Sequence, residues 1–377
     1  MAIYFDCNAT TPMEPEVFEA MQAFFLEEYG NPGSRTHEYG NRAKKSVEAA
    51  RREIATALGL KIGDRVIFTS GATESNNMVL FGLEDYAKKS QKNRVIISSI
   101  EHKAVLEPAS ELEKRGFEVV RLRADSDGQI DLDHLQSSLN EKTFLVSVMH
   151  VNNETAVIQP IEQICEILKN SQAFFHTDSA QGFGKEMNML GNPRVDMISV
   201  SGHKLYGPKG IGALILRRRG FDKIPLTPLI LGGGQEDGYR AGTLAVPLIV
   251  GLGKAVTIAF RDHATREKSC KKTREHVLSF IEKIGGMING NPSLMICSGI
   301  NFSIPGVDSE AAMLALKDVI AVSNGSACTS QSYTPSHVLT AMGFDENRVK
   351  GALRFSWSHL TPDVDWDLAF SHLKKLL

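Results

Sequence analysis

Short apolar runs alternate with longer amphipathic stretches along the first two thirds of the chain. Arg65–Phe68, Arg94–Ser98, Phe117–Leu122, Thr143–Met149, Ala173–Thr177, Val195–Val200 and Ile211–Leu216 are rich in Val, Ile, Leu and Phe and predict strands. Helical spacing falls at Glu16–Glu28, Asn41–Leu58 and Ile161–Asn170. Strands taking turns with helices predict an α/β chain with a mostly parallel sheet covered by helices. Gly30–Gly40 is too rich in Gly, Pro, Asn and Ser for a helix and reads as a loop. Leu244–Phe260 is apolar but broken by Pro247 and Lys254, so it predicts a core helix, not a membrane span. Beyond it the pattern changes. A charged helical segment (Asp262–Ile284) and short strands around Ile300–Ile304 predict a smaller α+β unit.

In parallel sheets, functional residues gather just past the carboxyl ends of the strands. His102, Asn153, Asp178, Ser201–Lys204 and Gly71–Thr73 all follow predicted strands. That grouping points to one site. Lys204 lies between two apolar strands, where burial lowers a lysine's pKa and frees its amine to attack carbonyls. It reads as a Schiff-base lysine holding pyridoxal phosphate (PLP), or as a plain loop lysine. Ser70-Gly71-Ala72-Thr73 opens a helix directly after a strand, so its N–H groups form an anion site or Thr73 and Asn76 form a capping box. Asp178 suits a protonated pyridine nitrogen, or caps a helix. His102, at a strand-to-helix junction, is a proton carrier or a surface histidine. Arg354, inside the apolar run Ala352–Ser356, needs an anion: a substrate carboxylate or an internal salt bridge. Cys328 stands in the small, polar SNGSACTSQS and reads as a reactive thiol or an incidental exposed one, whereas Cys165 sits in a helical apolar pattern and looks like packing.

Composition narrows the class. The chain has 377 residues, enough for two domains, and a formal net charge of −2, which leaves no basic footprint for direct nucleic-acid binding. Five cysteines without a CxxC pair argue against a zinc site and a disulfide framework and place the chain in reducing cytosol. The opening MAIYFDCNATTP has no signal-peptide pattern.

The motifs together resemble those of the cysteine desulfurases, PLP enzymes of the class V aminotransferase family. They are DCNATTP (Asp6–Pro12), GNPGSRTHEYG, FTSGATESNN, EHKAVLEP, VMHVNNETAVIQP, HTDSAQGFGK, SGHKLYGPKGIGAL, GGGQEDGYRAGT, NGSACTS and ALRFSWS, in the family's order over nearly the whole chain. The resemblance implies PLP fold type I. A large PLP domain with a mainly parallel, seven-stranded-type sheet would span 15–260, and a small domain would combine 1–14 with 261–377. It implies that Lys204 binds the cofactor and moves the substrate's α-proton, with His102 stacked on the ring. Asp178 would pair with the pyridine nitrogen and Gln181 with the phenolic oxygen. Ala72, Thr73, Ser201 and His203 would hold the phosphate, joined by Thr243 from the other subunit of a homodimer. Asn153, beside the cofactor, and Arg354 would bind the substrate carboxylate. Cys328 would take sulfur from L-cysteine, leaving L-alanine and a persulfide for an acceptor protein. The segment around Cys328 resembles the longer loop of the IscS/NifS-like group. The chain ends at Leu377, without the longer tail that housekeeping members use for an iron–sulfur scaffold. The DCNATTP opening and the THEYG loop also resemble the desulfurase of bacterial DNA phosphorothioation (Dnd). Sulfur donation to iron–sulfur clusters or tRNA, and another class V activity such as selenocysteine lyase, are the alternatives.

Overall fold

The computed structural model describes residues 1–220, 222–325 and 335–377. Its strands in chain order are β1 (Ile3–Tyr4), β2 (Arg65–Thr69), β3 (Arg94–Ser98), β4 (Glu118–Leu122), β5 (Thr143–Ser147) and β6 (Phe174–Asp178). β7 (Met197–Ser201), β8 (Gly212–Leu216), β9 (Met287–Ile288), β10 (Gly299–Ser303), β11 (Ile320–Ala321) and β12 (Ala352–Ser356) follow.

The seven runs read as strands form one seven-stranded sheet in the order β2-β8-β7-β6-β5-β3-β4. Only β8 runs antiparallel to its neighbours, β2 and β7; the other pairs are parallel. β5 to β8 are buried at every residue, which is why they read as continuous apolar runs. β4, at the edge, mixes exposed and buried positions.

Both faces are covered. Val66, Phe68, Ile96, Val146, Phe175, Ile198 and Ile215 pack on one side with α1 (Pro15–Leu26) and α2 (Glu38–Ala57). Ile67, Val95, Ile97, Leu145 and Leu214 face the other side, under α3 (Ala72–Gly82), α4 (Glu84–Lys89) and α5 (Lys103–Lys114). The sheet-flanking helices α6 (Leu132–Ser138) and α7 (Ile161–Ile167) precede the long α8 (Val246–Arg261), which holds most of the Leu244–Phe260 apolar stretch in the first core. A Cβ on Gly253 would lie 2.7 Å from the Ala50 Cα, so this glycine lets α8 touch α2 backbone to backbone. No helix among the described residues is long and apolar enough to cross a membrane.

One boundary differs from the sequence reading. α2 starts at Glu38 and takes in Tyr39 and Gly40, the end of the expected loop. His37 caps it, Nδ1 accepting from the Gly40 N–H at 3.2 Å, and Gly40 is required because the Ser34 carbonyl packs where a Cβ would stand.

Past α8, the charged segment forms α9 (His263–Lys283) over a three-stranded antiparallel sheet, β12-β10-β9. Its core holds Phe280, Ile300, Phe302, Phe355 and Trp357 together with Phe5 from the start of the chain. β1 pairs in parallel with β11, and Asp6 bridges to Ser356. This tie carries the DCNATTP stretch past the end of the large sheet and so supplies the opposite wall of the site.

Candidate active site

A cavity of about 590 Å³ opens beyond the carboxyl ends of β2, β3, β5, β6 and β7. Ala72, Thr73, His102, Asn153, Asp178, Gln181, Ser201, His203, Lys204 and Arg354 all line it. The structure thus brings together every expected site residue except Cys328 and Thr243. Cys328 lies outside the described residues. Thr243 is exposed and lines a separate cavity of about 1000 Å³ between α2 and the 234–244 stretch.

Lys204 sits in a short turn between β7 and β8, its Nζ donating to the Asn8 carbonyl and, at 2.6 Å, to the Ala9 carbonyl. The strands fix its Cα, and four methylenes carry the amine to the edge of the cavity. Asp178 ends β6, buried; its Oδ2 accepts from Asn76 Nδ2 at 2.7 Å and its Oδ1 from the Ala180 N–H at 2.9 Å. A carboxylate held by two donors and facing a cavity is ready for a cationic N–H.

His102 caps α5, its Nδ1 accepting from the Ala104 N–H at 3.1 Å. That bond puts the proton of the neutral ring on Nε2. Burial lowers the His102 pKa, Lys204 and His337 adding to the effect against Asp178, so the ring is neutral at physiological pH. Burial, followed by Lys204 and Lys209, pushes His203 down to about 4, and its Nδ1 shares a hydrogen bond with Thr10 Oγ1 at 3.1 Å.

Arg354 joins both readings offered by the sequence. Its Nη2 pairs with Asp6 Oδ1 at 2.6 Å and its Nη1 donates to the Asn153 carbonyl at 3.1 Å, yet its buried Nε has no partner among the described residues. The salt bridge orients the guanidinium; the remaining N–H groups are available to an anion in the cavity. The capping box is not formed: Gly71 is the N-cap of α3, without a side-chain cap bond, and the Thr73 side chain is exposed. A Cβ on Gly212 would lie 2.6 Å from the Gly71 Cα, so a glycine in β8 lets the start of α3 settle against the sheet. Its N–H groups beside Ser201 and His203 then form a cradle suited to a phosphate.

Four buried amide oxygens, of Asn8, Asn76, Asn153 and Gln181, lack partners among the described residues, and all four residues line this cavity. Orphaned buried polar groups cost about 1–3 kcal/mol each. A polar ring bearing a charged nitrogen, a hydroxyl and a phosphate answers that lining, so the residues fit pyridoxal phosphate.

The sequence reading missed several groups of this wall. Asn8 and Asp6 lay in a quoted motif without a role, and Asn76 had been considered only as a helix cap. Glu154, next to Asn153, is buried and accepts from Ser336 Oγ at 2.5 Å. Gly325, at φ +83°, would place a Cβ 3.1 Å from the same Glu154 oxygen. His337 Nε2 and the Glu101 carbonyl pair at 2.9 Å. Residues on both flanks of the Cys328 segment therefore meet one buried carboxylate.

Comparison with known proteins shows the family. The Aminotransferase class-V model matches residues 3–365. The chain belongs to the class V aminotransferase family. It is 44% identical over 374 residues to the cysteine desulfurase IscS of Rickettsia bellii, spanning 98% of this chain and 89% of the relative. A solved NifS-like protein superposes with a TM-score of 0.89 at 37% identity, covering 100% of this chain and 98% of that one. DndA from Streptomyces lividans superposes with a TM-score of 0.83 at 43% identity, covering 93% and 98%. Within its family the chain is a PLP-dependent cysteine desulfurase.

Proposed function

We propose that the amide-lined cavity is the desulfurase site and that Cys328 receives the sulfur. What supports this most is the convergence of Lys204, His102, Asp178, Gln181 and Arg354 on one cavity whose buried amides lack partners. Bound there, PLP supplies an electron sink that stabilises negative charge on the carbons of an amino acid. Lys204 would hold the cofactor through its amine and would take up the substrate's α-proton. Asp178 would keep the ring nitrogen protonated, Gln181 would pair with the phenolic oxygen, and Ala72, Thr73, Ser201 and His203 would hold the phosphate. The Arg354 N–H groups and the Asn153 amide orient the substrate carboxylate. The Cys328 thiolate attacks the substrate sulfur: an S–S bond forms, the Cβ–S bond breaks, and the carbon takes a proton, completing alanine. His102 Nε2–H is placed to carry protons within the cavity.

The remaining roles rest on the same reading. A partner subunit would bring its own loop to this phosphate, as this chain's Thr243 would to the partner's. The exposed Thr243 and the exposed apolar Phe18, Phe25, Leu26, Leu229, Ile230 and Leu231 support a homodimer. Residues 15–260 would act as the cofactor domain, and 1–14 with 261–377 as the domain that presents Cys328. The acceptor is a protein in the cytoplasm. The likeness to DndA favours sulfur supply for DNA phosphorothioation, with iron–sulfur supply, suggested by the likeness to IscS, as the second reading.

One assay tests the core of this. The purified protein is given L-cysteine with and without a reducing thiol, and alanine, sulfide and the mass of the Cys328 peptide are followed. Alanine in step with sulfide, and an added sulfur on Cys328 when the thiol is withheld, are the expected outcome. Turnover unchanged in Cys328→Ala would overturn the persulfide step.

A further inference from the structure

A third, smaller cavity of about 150 Å³ lies away from the active site and is lined by Gly184, Lys185, Tyr206, Cys270, Cys297 and Ser298 among others. Cys270 is buried in α9, while Cys297, in the segment leading into β10, is partly exposed. The two chain segments are held together at this point. Cys297 Sγ lies 3.9 Å from the Glu267 carbonyl, one turn before Cys270 on α9. Arg274 Nη1, one turn after it, donates to the Ile296 carbonyl at 2.9 Å. The Cys270 carbonyl is itself fixed by Trp357 Nε1 at 3.0 Å. Cys297 is thus clamped against α9 at the level of Cys270, and both cysteines line the same cavity.

We infer that Cys270 and Cys297 form a dithiol modification site, which a peroxide closes into a disulfide tying α9 to the lead-in of β10. The pair has a built-in division of labour. Cys297 is partly exposed, with Lys271 and Arg274 nearby, whereas Cys270 is buried. Cys297 is therefore the attacking thiolate and Cys270 the resolving thiol. Cys297 sulfur attacks one peroxide oxygen; the O–O bond breaks, a water leaves, and Cys297 becomes a sulfenic acid. Cys270 sulfur then attacks that sulfur; the S–S bond forms, the S–O bond breaks, and a second water carries off the Cys270 proton. Two thiols are oxidised and one hydrogen peroxide is reduced to two waters. Cys165, buried in the large core with its thiol pushed up to about 12, offers no such thiolate and serves as the internal control.

The test treats the intact holoprotein with hydrogen peroxide, blocks free thiols with N-ethylmaleimide and maps peptides by mass without reduction. A linked peptide containing Cys270 and Cys297, lighter by two hydrogens than its parts and lost on adding dithiothreitol, is expected while Cys165 stays unoxidised. In Cys270→Ser, Cys297 should instead be trapped by dimedone as the sulfenic acid. In Cys297→Ser, should the first variant fail to fold, Cys270 should stay reduced. Recovery of both cysteines as separate alkylated peptides, at a peroxide dose that oxidises Cys328, would overturn the proposal. So would linkage of Cys270 to Cys7, which also neighbours Lys185.

Discussion

The two walls of the active-site cavity are built in different ways. One wall comes from strand ends of the large sheet: His102 after β3, Asp178 at the end of β6, Ser201–Lys204 after β7. Each of these backbones is fixed by ladder hydrogen bonds and by cores on both faces of the sheet. The other wall comes from contacts distant in sequence. Asp6 meets Arg354 at a separation of 348 residues, Lys204 rests on the carbonyls of Asn8 and Ala9, and Glu154 meets Ser336. The first wall is scaffold with chemistry on its tip; the second is a set of mutual clamps. Damage to the first should remove chemistry while the fold persists. In the second it should shift substrate binding or sulfur transfer more than cofactor retention.

The largest expected effect sets one wall against the other. Lys204→Ala removes the proton carrier and should cut alanine formation by about 10³-fold or more, as losses of a positioned base do. Arg354→Met removes a charge-assisted contact worth about 1.5–3 kcal/mol, so it should raise KM for L-cysteine roughly 10- to 100-fold with smaller change in kcat. Steady-state kinetics on both variants, with PLP content measured by absorbance, checks the contrast. Equal losses of kcat in both, at full cofactor content, would mean that Arg354 does more than bind.

A smaller effect is expected at Glu154, the clamp shared by Gly325 and Ser336. Glu154→Gln keeps the shape but replaces a charge-assisted acceptor with a neutral one, a loss of about 1 kcal/mol or roughly fivefold in rate. PLP content and KM for L-cysteine should hold, while alanine formation falls and amide exchange rises in the peptide spanning 323–340. Ser336→Ala should reproduce the pattern. Exchange unchanged in both variants would remove Glu154 from the positioning of this segment.

The contrast between the walls also explains what could be read from sequence. Strands such as Phe174–Asp178 and Met197–Ser201 are buried throughout, so their apolar runs announce them, and a polar residue at such a run's end stands out. The seven-stranded sheet and Lys204, His102 and Asp178 were legible for that reason. Asn8, Asn76 and Glu154 were not, because the amide or carboxylate of each is placed by a partner remote in sequence and nothing local marks it. Arg354 was half legible: its apolar neighbours demanded an anion, but only the tie of β1 to β11 reveals that Asp6 is that anion. The start of α2 slipped because Gly40 looked like a loop residue, whereas it is a helical glycine admitted by the close Ser34 carbonyl. Thr243 followed from family resemblance alone; within one chain it lies on a different cavity.

The last test is of stability rather than activity and concerns Glu101, which links the walls, since its carbonyl meets His337 and the next residue is His102. Its side chain is fully buried, with Oε1 accepting from Ser98 Oγ and the Met149 N–H, each at 2.6 Å, and Oε2 without a partner among the described residues. Burial pushes its pKa up to about 8 from 4.5, so the carboxyl is protonated in the folded chain at neutral pH. The unfolded chain ionises near 4.5, so the folded state binds the extra proton between the two values. The stabilisation is complete below about 4.5 and is lost as pH rises to about 8, a total of a few kcal/mol. Glu101→Gln keeps an acceptor at Oε1 and removes the titration. Urea unfolding of the holoprotein from pH 5 to 8 should therefore show a stability difference, wild type relative to Gln variant, that shrinks steadily with pH. A difference that stays constant would mean that Glu101 ionises in the fold as readily as in the open chain, and that the 98–102 turn is wetter than its packing implies.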